Sequence, residues 1–442
     1  MREQKPIVNK PMLNTADALA FLMSAARPVA ETELVPTQEA NGRVLAEALV
    51  STMNVPDCDN TQMDGYAVRA ADCIDGSATL ALTQRIPAGH VGQPLLPGCA
   101  ARIFTGAMIP SGADAVVMQE QCTFMAPDTV SGAAASGAAA AGTSLPGTAD
   151  AKASTALGTV TIHHAPQPGE WIRRTGEDIR AGNVILACGT RLRSQELGLA
   201  ASVGLAQLSV RRRLRVAVFF TGDELTMPGQ PLAPGAIYNS NRYTLRALLE
   251  NLGCQITDYG IVPDRLDATR EVLRSASEQH DLIITSGGVS VGEEDHIKPA
   301  VEAEGHLDMW QIAVKPGKPL AFGQVKQAFF LGLPGNPVSS FITFLLFVRP
   351  FILRLQGVES AAALAPKRYA MRADFDWPKG DRRNEFLRAK INPEGGLDLF
   401  SNQGSGVLTS TVWGDGLIDN PPGQAIAPGD TVRFIPFGEL LA

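Results

Sequence analysis

Six cysteines, at 58, 73, 99, 122, 188 and 254, are scattered through the 442 residues without a single CxxC pair. The scatter excludes a disulfide framework and a cysteine zinc site, and fits a reducing cytoplasm. The six histidines contain no HExxH, and His163-His164 lies beside a low-complexity stretch, so no histidine metal site is expected. Neither GxxxxGK[ST] nor GxGxxG occurs, which leaves a P-loop NTPase and a Rossmann dehydrogenase unsupported; no serine is read as an elbow nucleophile. Positive charge is in deficit: 38 Lys+Arg against 45 Asp+Glu give a net charge of −7, which argues against a nucleic-acid partner. An anionic ligand must then be held by local cations and backbone dipoles. The longest apolar run, "FITFLLFV", ends at Arg349 and is too short to cross a membrane.

What is present begins with helix signals. Lys5 and Lys10 ahead of "ALAFLMSAA" loosely resemble a signal peptide. Asn14, Thr15 and Asp17, however, are helix-start residues, and Leu19, Leu22, Met23 and Ala26 repeat at helical spacing. An amphipathic helix over about 15–27 is expected, with a second near "TQEANGRVLAEAL". Short β segments follow, "LALTQRIPAG" and "ARIFTGAMIPSGADAVVM". From Ala126 to about Thr159 the chain is mostly Ala, Gly, Ser and Thr and is read as an inert flexible loop. "SQELGLAASVGL" is a short helix.

From Leu214 strands and helices alternate. "RLRVAVFF", "QITDYGIV", "DLIIT" and "QAFFLGLPG" read as strands. Ser240–Leu252, Asp264–Gln279, a segment beginning near Asp295, and "NPVSSFITFLLFVRPFILRL" read as helices, the last opened by Asn336 and Pro337. This alternation predicts a parallel-type sheet covered on both faces. Past about Gly357 no helical period survives, and "RYAMRADF", "NEFLRAKI", "LDLFSN" and "DTVRFIPF" suggest a small β domain.

Ligands of such sheets sit beyond the carboxyl ends of the strands. Four loops fall there: "TGDEL" (221–225), "VPD" (262–264), "SGGVSVGEED" (286–295) and "LPGNP" (333–337). Glycines bring backbone donors up to phosphate, whereas acids repel it. The two are reconciled if Asp223, Glu224, Asp264 and Asp295 converge to hold Mg²⁺ against a phosphate; the bland reading makes Asp264 and Asp295 helix caps. Lys315 and Lys318 on the "KPGKP" turn could hold a small oxyanion. The start of the Pro337 helix, with Ser339 and Ser340 inside it, offers a further anion site.

Together "DNTQMDGYAV", "IFTGAMIPSGADAVVMQE", "RRTGEDI", "FTGDEL", "IYNSNR", "TSGGVSVGEED", "KPGKPLAFG", "LPGNPVSS" and "NQGSGVLTS" resemble the MoeA family of molybdopterin molybdenumtransferases, which includes the gephyrin E domain. The resemblance spans nearly the whole chain. It implies an α/β multidomain protein: a three-layer α/β molybdopterin-binding domain (209–357), an inserted lasso-like β domain (55–167), an elongated linking domain (1–54 with 168–208) and a C-terminal β domain (358–442). It implies a cytoplasmic homodimer with active sites shared between subunits, Mg²⁺ as cofactor, and adenylylated molybdopterin and molybdate as substrates; no membrane is involved, and transient contact with the adenylyltransferase or molybdoenzymes is possible in such a pathway.

The implied catalytic residues are Asp64, Thr105, Glu224, Asp264 and Asp295, with metal at Glu224, Asp264 and Asp295. Molybdate would meet Lys315, Lys318, Ser339, Arg388 and Ser405. The pterin and its phosphate would meet Thr221, Gly222, Ser286, Gly287, Gly288, Ser290, Gly335 and Asn336. Two departures stand out: Gln311 replaces a lysine found in some members, and the 126–159 insertion lengthens a loop. A non-catalytic scaffold of the gephyrin type and a molybdopterin adenylyltransferase are the competing functions.

Overall fold

In the computed structural model, residues 12–127, 157–289 and 296–441 are described. The chain divides into two compact units, one of residues 1–48, 186–201 and 205–442 and one of 49–185 with 202–204.

The larger unit is built on a six-stranded sheet. In chain order its strands are β1 (Arg215–Thr221), β2 (Gln255–Val262), β3 (Leu282–Ser286), β4 (Gly305–Gln311), β5 (Pro319–Val325) and β6 (Ala328–Leu333). The spatial order is β2-β1-β3-β6-β5-β4. The first four in that order are parallel, as expected, but β5 runs antiparallel to β6 and β4 antiparallel to β5. The four strands read from the sequence are these four parallel ones, and β4 and β5, which were not read, turn back for a short-range reason. Only Lys326 and Gln327 separate β5 from β6, with Lys326 at φ 51°, and so short a connection permits only an antiparallel hairpin.

Side chains alternate across β1. Val216, Val218 and Phe220 join one core with Leu245, Leu248 and Leu249 of α1 (Ser240–Asn251); Ala217 and Phe219 join another with Leu273 and Ala276 of α2 (Leu266–Gln279) and Ala300 and Val301 of α3 (Ile297–Glu304). The three-layer α/β expectation is met. The first core also holds a long helix: α4 (Pro337–Thr343), a π turn over Phe344–Val348, and α5 (Arg349–Leu355). Asn336 occupies the cap and Pro337 the first turn, as read. Pro350 lacks an N–H and crowds the preceding turn, and the adjacent π turn absorbs the misfit. The 19-residue helix 337–355 is apolar and long enough to cross a membrane, but 89% of it is buried in this core.

The helix Thr15–Ala25 is capped by Asn14, whose side chain accepts from Asp17 N, and buries Ala18 and Leu22. The second expected N-terminal helix is absent. Thr37–Glu39 makes one 3₁₀ turn, Gly42 takes φ 75° after Asn41, and Val44 and Leu45 form β bridges. The Asn-Gly turn and the pull of those apolar residues into extended pairing override helical propensity. Past Gly357 the chain forms β7 (Tyr369–Arg372), β8 (Asn384–Ile391), β9 (Gly416–Asn420) and β10 (Thr431–Pro436), ordered β8-β9-β10-β7, with Val314–Lys315 added parallel to β8. The short helices Thr409–Trp413 and Phe437–Leu441 correct the expectation of an all-β tail.

The smaller unit has its own six-stranded sheet, in which Gly65–Val68 and Cys99–Ile103 are adjacent. It extends beyond the expected 55–167: Val55 N donates to Ile179 O at 2.8 Å, and Arg174 pairs with Asp59. Most of the 126–159 insertion lies outside the described residues.

Candidate active site

The loops after β1, β3 and β6 meet beyond the carboxyl ends of their strands. Gly287 and Gly288 have φ 103° and 62°, a region that strongly favours glycine. A Cβ at Gly288 would stand 2.7 Å from the Thr221 hydroxyl, and one at Gly287 would strike the Thr221 carbonyl. A Cβ at Gly335 would lie 3.8 Å from Gly287 Cα. The glycines therefore serve close approach of three backbones, which leaves Gly335 and Asn336 exposed at the rim. The Thr221 hydroxyl is buried and has no hydrogen-bond partner among the described residues. Thr221, Gly222, Gly287, Gly288, Gly335 and Asn336 are thus together. Ser290 and Asp295 lie outside the described residues.

Ser286 is present but differently engaged. It is buried, accepts from Asn241 Nδ2 at 2.9 Å and donates to Pro334 O at 2.9 Å. Its one hydroxyl proton goes to the neighbouring loop. Asn241, missed from sequence, also donates to Gly335 O at 2.7 Å. Its sequence signals were a polar residue just inside a helix cap and its place in the segment "IYNSNR".

Of the acids, Glu224 is exposed with its carboxylate over Gly222, where a Cβ would lie 2.6 Å from Oε2. Asp223 is exposed and Asp264 half-buried. Asp264 does not cap α2: the helix starts at Leu266, and Arg265 holds the cap position without a side-chain bond. Among the described residues no three His, Cys, Asp or Glu side chains are grouped to hold a metal. Magnesium does not require three, since it keeps several waters and takes one or two carboxylates together with phosphate oxygens. The hard oxygens of Glu224 and Asp264, after the paired strands β1 and β2, are of the right chemistry.

The lysine turn sits beside α4. A Cβ at Gly317 would be 2.5 Å from the Thr343 hydroxyl and 3.8 Å from Ser339 Cβ. Ser339 is 4% exposed, and the buried hydroxyls of Ser340 and Thr343 have no partner among the described residues. The two lysines differ. Lys315 Nζ lies 3.1 Å from Glu385 and 3.3 Å from Asp381. Glu385 is fully buried and also accepts from Trp377 Nε1 and Asn420 Nδ2. The Arg383 side chain, against partial burial, holds the Asp381 carboxyl below the usual range. Lys318 is exposed and makes no ion pair among the described residues.

The resemblance implies that Arg388 closes over molybdate; here its side chain is fully buried. Its guanidinium donates to Ser410 Oγ at 3.0 Å, Phe386 O at 3.3 Å and Gly404 O at 3.2 Å, and desolvation pushes its pKa down to about 10. It braces the loop whose Ser405 carbonyl accepts from Val338 N at 3.0 Å, in the first turn of α4. Ser405 itself is half-buried. Gln311 is half-buried at the end of β4. The stretch Gly288-Val289-Ser290-Val291-Gly292 does have GxSxG spacing, overlooked in the sequence, but Ser290 is not among the described residues.

In the smaller unit Asp64 Oδ1 accepts from both Thr105 N and Thr105 Oγ1 at 2.7 Å. The backbone N–H foremost, then the hydroxyl, lower the Asp64 carboxyl from its ordinary value. The adjacent histidines are accounted for locally: His163 bonds Thr123 and His164 bonds Glu170.

Three family models match the chain: the MoeA N-terminal region (domains I and II) over residues 13–204, a probable molybdopterin-binding domain over 217–354, and the MoeA C-terminal region (domain IV) over 370–437. The chain is 40% identical over 418 residues to a molybdopterin molybdenumtransferase of Haemophilus influenzae, covering 93% of this chain and 95% of that protein. It is 34% identical over 438 residues to one of a Nostoc species, covering 96% and 92%. A molybdopterin biosynthesis MoeA protein of Pyrococcus horikoshii superposes with a TM-score of 0.77 at 26% identity, covering 96% of this chain and all of that one.

Proposed function

The chain belongs to the MoeA family and is a transferase of molybdenum cofactor biosynthesis, and from that premise we propose that it inserts molybdate into adenylylated molybdopterin with release of AMP. In this reaction the dithiolene sulfurs replace an oxo ligand, which leaves as water with the two thiol protons, and water cleaves the phosphoanhydride.

The observation that carries this reading is the meeting of an uncharged glycine cradle with a cationic turn. The N–H groups around Gly287, Gly288 and Gly335 can receive phosphate oxygens, and the buried Thr221 hydroxyl beside them has no partner among the described residues. Lys318 can attract the molybdate dianion toward the turn packed on Ser339. Arg388 acts from behind, holding the 404–405 loop against α4. Asp64 stays ionised through Thr105, ready to accept a proton or orient water. Glu224 and Asp264 would hold Mg²⁺, with Asp295 as the third expected ligand. When bound, Mg²⁺ offsets the charge of the phosphoanhydride. We infer also that the working form is a cytoplasmic homodimer, on the strength of the family resemblance.

The test measures AMP release from adenylylated molybdopterin, with and without micromolar molybdate and with Mg²⁺ added or chelated. Release that needs both supports the proposal. Release independent of Mg²⁺ removes the metal assignment, and ATP consumption with unadenylylated molybdopterin would mark an adenylyltransferase instead.

A further inference from the structure

Asn241 stands in the first turn of α1 but does no capping. Asn239 does that, accepting from Arg242 N at 3.1 Å. Asparagine is a poor helix former, and burying its amide is unfavourable unless its hydrogens find partners. Both hydrogens of the nearly buried Asn241 amide do, and at two different strand ends: Ser286 Oγ on the last residue of β3 and Gly335 O in the loop after β6. Ser286 then closes the circuit by donating to Pro334 O. One side chain from a third element therefore fixes the gap between two ligand-facing loops, which already touch at Gly287 and Gly335.

We propose that Asn241 is a positioning residue for the transferase: by clasping the 286–288 loop to the 334–336 loop, it sets how the backbone N–H groups converge on the pterin phosphate. Ser286 is its relay rather than a phosphate donor. The inference rests on the transferase reading for the identity of the ligand, and on hydrogen bonds alone for the clasp. Donors of this kind lose effect when displaced by about 1 Å. Neither Asn241 nor Ser286 lies on the lysine turn, so molybdate binding should be indifferent to both.

The experiment titrates molybdopterin into the full-length protein by pterin fluorescence, for wild type, Asn241→Ala, Ser286→Ala and the double variant. The molybdate dependence of AMP release and the thermal midpoint are measured alongside. The expected result is pterin binding weakened about tenfold in Asn241→Ala and less in Ser286→Ala, with the double variant no weaker than Asn241→Ala. The molybdate concentration for half-maximal release should stay within about twofold in every variant. Unchanged pterin binding despite a lowered thermal midpoint would make the network purely structural and overturn the proposal, as would additive losses in the double variant. If Asn241→Ala does not fold, Ser286→Ala decides alone: unchanged pterin binding overturns the proposal. Wild type that binds pterin but releases no AMP counts against the transferase, while the binding series still judges the clasp.

Discussion

Two lysines three residues apart are not equivalent. Lys315 faces two carboxylates, whereas Lys318 has no ion pair among the described residues. Lys318→Ala should raise the molybdate concentration for half-maximal turnover about tenfold and leave the pterin requirement nearly unchanged. Lys315→Ala should act more on stability, by about 1–2 kcal/mol after allowance for its partial exposure, because it strips a partner from the buried Glu385. A larger molybdate effect from Lys315 than from Lys318 would reverse the assignment. Asp64 gives a pH prediction. Its folded pKa is depressed, so the stability it contributes is present above about 3.9 and is lost as pH falls through the folded value. Thr105→Ala removes one of its two bonds and should move that loss to higher pH, readable by NMR titration of the Asp64 carboxyl. At this scale the sequence was informative about exposed residues and blind to burial. "NEFLRAKI" alternates like a half-exposed strand, yet Glu385 to Ala389 are all buried, because the 403–410 segment folds over Arg388.

Asp281 ties elements together. It lies just before β3, pairs with Arg212 at 2.7 Å and accepts from Arg215 N, the first residue of β1, at 2.8 Å. Burial alone would raise its pKa, but the guanidinium and the N–H outweigh that and lower it. Asp281→Ala should cost about 3 kcal/mol, seen as a reduced urea midpoint at pH 7. The difference from wild type should shrink as pH falls from about 3.9 through the lower folded pKa, since a protonated Asp281 no longer pairs. A urea midpoint within error of wild type at pH 7 would contradict this. Long periodic elements were legible because one face of each is apolar: all of the strands and helices read between Leu214 and Leu355 exist, with small shifts at their ends. What escaped were features set by short connections, such as the β5–β6 hairpin, and the N-terminal segment where Asn41-Gly42 stops a helix.

At the scale of the molecule, the shared-site homodimer proposed above makes a prediction that neither unit makes alone. Asp64→Asn and Lys318→Ala, each assayed at limiting molybdate, should be nearly inactive. Co-refolded in equal amounts, they should recover about a quarter of wild-type turnover, because each mixed dimer rebuilds one intact site. No recovery from verified mixed dimers would mean that each site is made within one chain. The order of elements along the chain has one more consequence. The helix Thr15–Ala25 packs Phe21 against Phe322 at 5.9 Å, and Phe322 meets Phe351 at 5.4 Å. The smaller unit closes on itself early, with Ser51 N bonded to Asn183 O. At about 5–20 residues per second, the ribosome needs roughly half a minute between making Phe21 and making its partners. During that interval the first helix waits, its apolar face uncovered, while the inserted unit can already fold. Nascent chains arrested near residue 300 should therefore carry a protease-resistant smaller unit behind a protease-sensitive amino terminus.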